Sequence, residues 1–330
     1  MGPEQIASAL RTLLSIRQPV FLWGAPGVGK SQVVAQVARE KGLILRDIRA
    51  VLLDPVDLRG LPRITKSGVA AWCPPAFLPP EDEKTEGILF LDELNSAPPL
   101  VQAACYQLIL DRAIGEYHLP DGWCIVAAGN REKDRSVTHR MPAALANRMV
   151  HLDFDVSLDD WLVWARKHDI RNDVRSFIRF RPRFLHNFDP ASAEKAFPSP
   201  RSWEFVSHVL DAAPEDEVLY ELVKGTVGQV CAAEFMGYRA VWQDIPDMEE
   251  VLDKPDTVKV PEEPAALYAL CEVLASAADD DTIDALAEYA MRMPPEFGVL
   301  LMRDCIQEKS SLAGSSAFAR WAEANAEVLL

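Results

Sequence analysis

A glycine-rich segment that ends in lysine and serine constrains this chain more than any other feature. Residues 24–31 read GAPGVGKS and fit the pattern G-x-x-x-x-G-K-[ST]. The segment follows the apolar run 19–23, which predicts a buried strand, and leads into residues 30–41, which predict a helix with its valines on one face. This order predicts a phosphate-binding loop, because glycines let backbone N–H groups converge on phosphate at a helix N-terminus. A glycine-rich turn that matches by chance is the alternative.

The loop is therefore predicted to bind a nucleotide, with ATP and Mg²⁺ as the cofactors. Lys30 would direct its charge toward the β- and γ-phosphates, and Ser31 would offer a hydroxyl to Mg²⁺. The predicted nucleotide-binding residues are Gly24, Ala25, Pro26, Gly27, Val28, Gly29, Lys30, Ser31 and Gln32.

A second apolar strand ends in two carboxylates. Residues 88–91 read ILFL, and Asp92 and Glu93 follow them. Asp92 is predicted to reach the Mg²⁺ held by Ser31, and Glu93 to polarise a water for in-line attack on the γ-phosphate. An acidic N-cap for the next helix is the alternative interpretation.

A third strand ends in an amide. Residues 123–128 predict a strand, and Gly129 and Asn130 follow it. Asn130 is predicted to orient the attacking water or to sense the γ-phosphate. Gly-Asn is also a common turn, so this signal depends on its place after the acidic strand.

The order of elements predicts three parts. Strands alternate with helices over residues 1–155, which indicates an α/β nucleotide-binding domain with a parallel sheet. Residues 156–243 predict a helical lid, in which 217–234 read as one helix. Residues 244–330 predict an acidic, mainly helical region that opens with a Pro- and acid-rich linker or exposed loop over 244–264.

Charge is concentrated in the last third of the chain. Residues 1–210 carry 26 basic and 25 acidic side chains, whereas residues 211–330 carry 8 and 25, which gives the net charge of −16. This acidic balance disfavours nucleic acid as a partner of the last third. Six scattered cysteines without a C-x-x-C pair favour free thiols, and we expect a cytoplasmic protein with no membrane segment and no signal peptide.

The motifs together resemble those of AAA+ ATPases. Residues 91–99 read LDELNSAPP and, with Gln102 and the alanines after it, are similar to the MoxR group, which includes MoxR, RavA, CbbQ and NorQ proteins. The resemblance covers roughly residues 5–240. It implies an α/β AAA+ P-loop domain with a parallel sheet and helices on both faces, followed by an α-helical lid; the acidic helical C-terminal region is read from the sequence. It also implies hairpins at 63–72 and 113–119, which in related ATPases face a central pore and can touch substrate. Two surface hairpins with structural turns only are the alternative.

The resemblance also implies roles for arginines. Arg148 ends the segment PAALANR and would act as a trans finger on the γ-phosphate bound by a neighbouring subunit; Arg140 is a second candidate. Arg201, in PRSW, would act in cis as a sensor at the start of a lid helix. A surface salt bridge is the alternative for each of these arginines.

The function expected from the resemblance is that of an ATP-hydrolysing ring machine, a homo-oligomer and in particular a hexamer, that remodels or activates a protein client. A protein with a von Willebrand factor A domain is one such client. Two alternatives stay open: the motor subunit of a DNA-processing or restriction system, and a nucleotide-gated scaffold with little turnover.

Overall fold

Strands and helices alternate along the first part of the chain. The computed structural model describes residues 1–81, 84–131, 141, 143–192, 194–242 and 245–326, with the backbone alone at residue 144. The chain forms two units, residues 1–161 with 188–193, and residues 162–187 with 194–330. The first unit contains α1 (Pro3–Ser15), β1 (Val20–Trp23), α2 (Lys30–Lys41), β2 (Ile44–Arg49), α3 (Pro55–Arg59), β3 (Leu61–Ile64), β4 (Ala70–Cys73), β5 (Gly87–Asp92), α4 (Pro99–Asp111), β6 (Ala113–Ile114), β7 (Tyr117–His118), β8 (Trp123–Gly129), α5 (Ala143–Ala146) and β9 (Val150–Asp153).

Five of these strands form one parallel sheet in the order β2-β5-β8-β1-β9. Successive side chains of a strand point to opposite faces, so Val20 and Leu22 pack against α1 and α2, whereas Phe21 packs in the core that contains α4. Burial on both faces explains why β1, β5 and β8 read as continuous apolar runs. The predicted fold class, an α/β P-loop domain with helices on both faces of a parallel sheet, is confirmed.

Helix α1 is not among the predicted elements. It buries Ile6, Leu10 and Leu14, which are spaced four residues apart, against the face of the sheet that α2 also covers. This spacing is the ordinary signal of an amphipathic helix.

Two small hairpins interrupt the α/β alternation, where the family resemblance implies them. Strands β3 and β4 pair antiparallel, and the N–H of Gly68 donates to the carbonyl of Thr65 at the turn. Strands β6 and β7 form the second hairpin. The backbone N–H of Trp72 donates to the Glu116 carboxylate at 3.4 Å, so the two hairpins are in contact.

The elements described in the chain from residue 158 onward are helices joined by irregular segments. Its helices are α6 (Leu158–Lys167), α7 (Asn172–Phe180), α8 (Pro200–Asp211), α9 (Asp216–Val227), α10 (Gln229–Val241), α11 (Met248–Asp253), α12 (Pro264–Ser276), α13 (Ile283–Ala290), α14 (Pro295–Glu308) and α15 (Ser316–Ala324). No helix among the described residues is long and apolar enough to span a membrane.

Two predictions about this helical part are wrong. Residues 217–234 are not one helix, because Gly228 separates α9 from α10 with φ +85°, a conformation that L side chains rarely adopt. Residues 244–264 are not simply a linker or exposed loop either, because they contain α11, whose Val251 is fully buried.

The second unit contains an aromatic cluster and a buried ion cluster. Phe177 lies 5.2–5.5 Å, between ring centroids, from Trp203, Phe235 and Tyr238. The buried ion cluster joins α6 and α7 to α12 and α14, and it consists of Arg166, Arg175, Arg179, Glu272 and Asp304. The acidic last third thus supplies counter-ions to arginines of the preceding helices. The predicted boundary between lid and C-terminal region at 243/244 stays a prediction.

Candidate functional site

The glycine-rich loop connects β1 to α2 at the carboxyl edge of the sheet. Gly27 and Gly29 have φ of +77° and +100°, which explains why glycine occupies both positions. Helix α2 begins at Lys30, and no side chain caps its N-terminus. Its first N–H groups therefore point out of the helix next to the loop, an arrangement suited to bind an anion such as phosphate.

The ammonium group of Lys30 lies within the loop. Its Nζ donates to the carbonyl oxygens of Gly24 at 2.7 Å and Ala25 at 3.0 Å. The side-chain Oδ1 of Asn130 is 3.4 Å from the same nitrogen. One positive charge therefore faces both the loop and the end of β8, although the two segments are far apart in sequence.

Ser31 and Asp92 are in direct contact. The Ser31 hydroxyl donates to Oδ2 of Asp92 at 2.9 Å, although 61 residues separate the two. Mg²⁺ takes oxygen ligands and keeps several waters, so one hydroxyl and one carboxylate oxygen side by side fit it as a partial ligand set. The two residues would hold the ion next to the phosphate-binding loop, as the sequence predicts.

Glu93 directly follows β5 in an uncommon backbone conformation. Its φ is +55°, and its N–H donates to Oδ1 of Asp92 at 2.9 Å. The side chain is exposed at the sheet edge that also carries Lys30 and Ser31. A non-glycine residue in the left-handed region costs free energy, and such residues are frequent at functional sites.

Asn130 is held by Asn95, a residue to which the sequence assigns no role. Asn95 Nδ2 donates to the backbone carbonyl of Asn130 at 2.7 Å, and Asn95 Oδ1 accepts from the backbone N–H of Asn130 at 3.2 Å. Asn95 belongs to the motif LDELNSAPP, which could have drawn attention to it, but its partner is 35 residues away.

Two charged groups next to these strand ends have shifted pKa values. Burial raises the pKa of Asp47 on β2, and the nearby Asp92 carboxylate raises it further. Burial alone would lower the pKa of Arg131, but the carboxylates of Asp155 and Asp153 outweigh it and raise that pKa. The ion pairs of Arg131 with these carboxylates tie the residue after Asn130 to the end of β9.

Trp23, the last residue of β1, forms a second unpredicted contact. Its indole N–H donates to Nδ1 of His151 at 2.9 Å, and Nε2 of His151 lies 2.9 Å from the carbonyl of Ala146 in α5. Since Nδ1 accepts a hydrogen bond, Nε2 carries the proton and donates to Ala146. The imidazole therefore bridges the strand before the loop and the segment before Arg148.

Two of the three predicted arginines, Arg148 and Arg201, lie among the described residues. Arg148, between α5 and β9, has an exposed side chain, and its carbonyl accepts from Nε2 of Gln18 at 3.2 Å. Arg201, also exposed, is the second residue of α8 in the second unit. Within the described part of the chain, neither guanidinium has a recorded ion pair. Arg140 lies outside the described residues, and the roles of all three stay predictions.

Comparison with solved structures finds distant similarities. NtrX from Brucella abortus in complex with ADP is 13% identical and matches 98% of this chain and 68% of its own, with a TM-score of 0.43. The RuvB Holliday junction branch migration motor of Thermotoga maritima is 17% identical and matches 88% of this chain and 86% of its own, with a TM-score of 0.42. No family model and no curated protein matches the chain. The functional assignment therefore depends on the residues of this chain.

Proposed function

We propose that this protein is an AAA+ ATPase that hydrolyses Mg²⁺-bound ATP. The observation that supports this most is the 2.9 Å hydrogen bond between Ser31 and Asp92, which joins the phosphate-binding loop to the acidic strand end. Bound Mg²⁺ would neutralise charge on the phosphates. Lys30 would hold the β- and γ-phosphates, Glu93 would polarise the attacking water, and Asn130 would orient it.

Two variants of the site test this proposal. Lys30→Ala removes the positive charge that faces the loop, so we expect it to lose nucleotide binding and turnover. Glu93→Gln keeps the size of the side chain but removes the base. It should bind ATP as the wild type does and hydrolyse it at least about a hundredfold more slowly. The measurements are calorimetric nucleotide binding and phosphate release, and unchanged turnover in Glu93→Gln would disprove the role of Glu93.

We also propose that the active form is a homo-oligomeric ring, in particular a hexamer, in which Arg148 acts on the nucleotide of a neighbouring subunit. The exposed Arg148 guanidinium forms no ion pair with another described residue, while the backbone carbonyl of Arg148 accepts from Gln18 and that of Ala146 accepts from His151. A held backbone, with a guanidinium that pairs with no carboxylate of the described residues, suits a group that completes another subunit's site. Arg201 would act in cis, on the nucleotide bound by its own subunit.

Mixing inactive subunits tests the trans role of Arg148. Arg148→Ala subunits should bind ATP but turn it over slowly, and Lys30→Ala subunits should be inactive but still present Arg148. A mixture of the two should regain turnover, because an intact loop then meets an intact arginine at some interfaces. Arg320→Ala, which changes an exposed arginine in the other unit, is the control. No gain on mixing would contradict the trans role.

We further propose that the client is a protein, which the MoxR-like machine remodels or activates. The first hairpin supports this, because its exposed side chains are largely apolar: Leu61 is 69%, Ile64 83% and Val69 63% exposed. Exposed apolar groups of this kind suit contact with protein, whereas a nucleic acid backbone requires a dense basic surface. Arg63 and Lys66 are the basic residues of this hairpin.

Capture with the Glu93→Gln variant separates the possible partners. ATP-loaded bait should retain a client that ADP-loaded bait releases, and a protein with a von Willebrand factor A domain would identify the expected class. Nuclease-sensitive material on the bait, or turnover stimulated by DNA, would favour a DNA motor instead. Ile64→Ser on the hairpin should weaken client retention without changing basal turnover.

A further inference from the structure

Asn95 replaces a missing strand partner at the end of β8. Its side-chain amide exchanges two hydrogen bonds with the backbone of Asn130, donating to the carbonyl at 2.7 Å and accepting from the N–H at 3.2 Å. Two residues of a hydrogen-bonded pair in an antiparallel ladder would exchange the same pair of bonds. The backbone of Asn130 is therefore fixed in position and direction after the strand itself has ended at Gly129.

The Asn95 amide is itself held in place. Asn95 is 2% exposed, and its backbone carbonyl accepts from Nε2 of Gln102, which also donates to the carbonyl of Ala97 at 2.8 Å. The Tyr106 hydroxyl donates to Oε1 of Gln102. Both the nitrogen and the oxygen of the Gln102 side-chain amide therefore have hydrogen-bond partners. A Cβ at Gly129 would lie 2.2 Å from Oδ1 of Asn95, so only glycine leaves room for the amide.

Asn95 is also tied to Glu93. It belongs to the short 3-10 turn Leu94–Ser96, for which Glu93 is the N-cap, and the Ser96 N–H donates to the Glu93 carbonyl at 3.0 Å. The turn sets the direction in which Glu93 leaves β5, and the Asn95 side chain attaches that turn to Asn130. The acidic strand end and the amide strand end are thus joined through one buried side chain.

We propose that Asn95 is a positioning residue that fixes Asn130 relative to Glu93 for ATP hydrolysis. This inference rests on the proposed function. Asn130 Oδ1 reaches 3.4 Å from Nζ of Lys30 only while its backbone is held. Without Asn95, the Asn130 backbone N–H and carbonyl lose their partner, and the residue can turn away from the loop. Because the loop itself is untouched, turnover depends on Asn95 and nucleotide binding does not.

Replacing Asn95 tests whether turnover falls while nucleotide binding is kept. Asn95→Ala should lower kcat about a hundredfold, in line with the effect of misplacing a catalytic group, while the nucleotide Kd stays within about twofold. Asn325→Ala removes an amide of the second unit that donates to the Trp321 carbonyl, and it should leave both values unchanged. Thermal unfolding of each variant shows whether it is folded at the assay temperature. A folded Asn95→Ala with wild-type kcat, or with kcat and binding equally reduced, would overturn the proposal.

Asn95→Asp gives a readout that packing alone would not produce. The aspartate has the shape of asparagine, but its ionised form has no proton to donate to the Asn130 carbonyl. The protonated form restores both hydrogen bonds, and burial favours protonation. The turnover of Asn95→Asp, relative to wild type at each pH, should therefore rise as pH falls from about 8 to about 6. A constant ratio, or one that falls, would contradict the pairing.

A double-mutant cycle distinguishes failure of this inference from failure of the proposed function. If Asn95 acts through Asn130, Asn95→Ala should have little further effect on kcat once Asn130→Ala is present. Additive effects would mean that Asn95 acts elsewhere, with the role of Asn130 intact. Wild-type turnover in Asn130→Ala would instead remove Asn130 from the proposed mechanism.

Discussion

The candidate site is formed by individual side chains at the ends of strands and at the start of a helix. Nζ of Lys30 lies 3.4 Å from Oδ1 of Asn130, and the Ser31 hydroxyl lies 2.9 Å from Oδ2 of Asp92. Lys30 and Ser31 begin α2, Asp92 ends β5, and Asn130 directly follows β8. These positions are readable from sequence, because apolar runs that stop at polar residues mark them. The left-handed backbone of Glu93 and the pairing of Asn95 with Asn130 are not readable, since both depend on contacts across the fold.

Gly129 gives a prediction at the scale of one atom. A methyl group at this position would meet the Asn95 amide and the Phe21 ring, at 2.2 and 2.9 Å, so Gly129→Ala must displace one of them. We expect the free energy of unfolding to fall by about 1–3 kcal/mol. Gly225→Ala is the matched control: its Cβ meets nothing within 4 Å, and α9 should gain about 0.5–1 kcal/mol. Chemical denaturation measures both, and equal effects would contradict the steric account.

Helices could be predicted from sequence where the spacing of their own apolar residues determines them. The prediction of a helix at 30–41 matches α2, because its buried valines recur at helical spacing. The break between α9 and α10 was not anticipated, because a glycine inside a helical pattern can be tolerated, as Gly237 is in α10. Gly228 differs in its φ of +85°, and a Cβ there would lie 3.0 Å from the backbone carbonyl oxygen of Ala196, a contact from a distant part of the chain.

The buried ion cluster gives a prediction at the scale of packed helices. Asp304 is fully buried and contacts Arg166 and Arg179, so Asp304→Ala leaves two guanidinium groups in the interior with too few counter-ions. We expect a loss of about 3–5 kcal/mol in the free energy of unfolding. Asp284→Ala breaks a pair that is about two-thirds exposed and should cost no more than about 1 kcal/mol. Similar losses for both variants in urea denaturation would mean that burial is not the cause.

At the scale of the whole molecule, charge and thiols are distributed unevenly. The acidic excess of residues 211–330 is partly used inside the second unit, where Glu272 and Asp304 face arginines of α6 and α7. Composition reveals the acidic excess but not the buried ion pairs, because pairing between helices that are distant in sequence leaves no pattern in either segment. The six cysteines show a similar contrast, since Cys73 is exposed and the other five are buried.

The difference in exposure between Cys73 and the other cysteines predicts how many thiols react in the native chain. Burial raises the pKa of Cys105, Cys231 and Cys305 to about 12, and only the thiolate is reactive. A native chain should therefore react quickly with an aromatic disulfide reagent at Cys73 alone, and at all six cysteines once unfolded. Cys73→Ser should abolish the fast phase. A second fast thiol in that variant would show that one of the buried cysteines is accessible.

The bond between Trp23 and His151 gives the chain an optical reporter. Trp23 precedes the phosphate-binding loop by one position, and its ring centroid lies 4.2 Å from that of Phe21. Indole emission responds to the polarity and hydrogen bonding around the ring, so a nucleotide that shifts the loop should change the fluorescence of this one tryptophan. The difference between wild type and Trp23→Phe isolates that signal from the other seven tryptophans. Nucleotide exchange could then be followed in real time without any label.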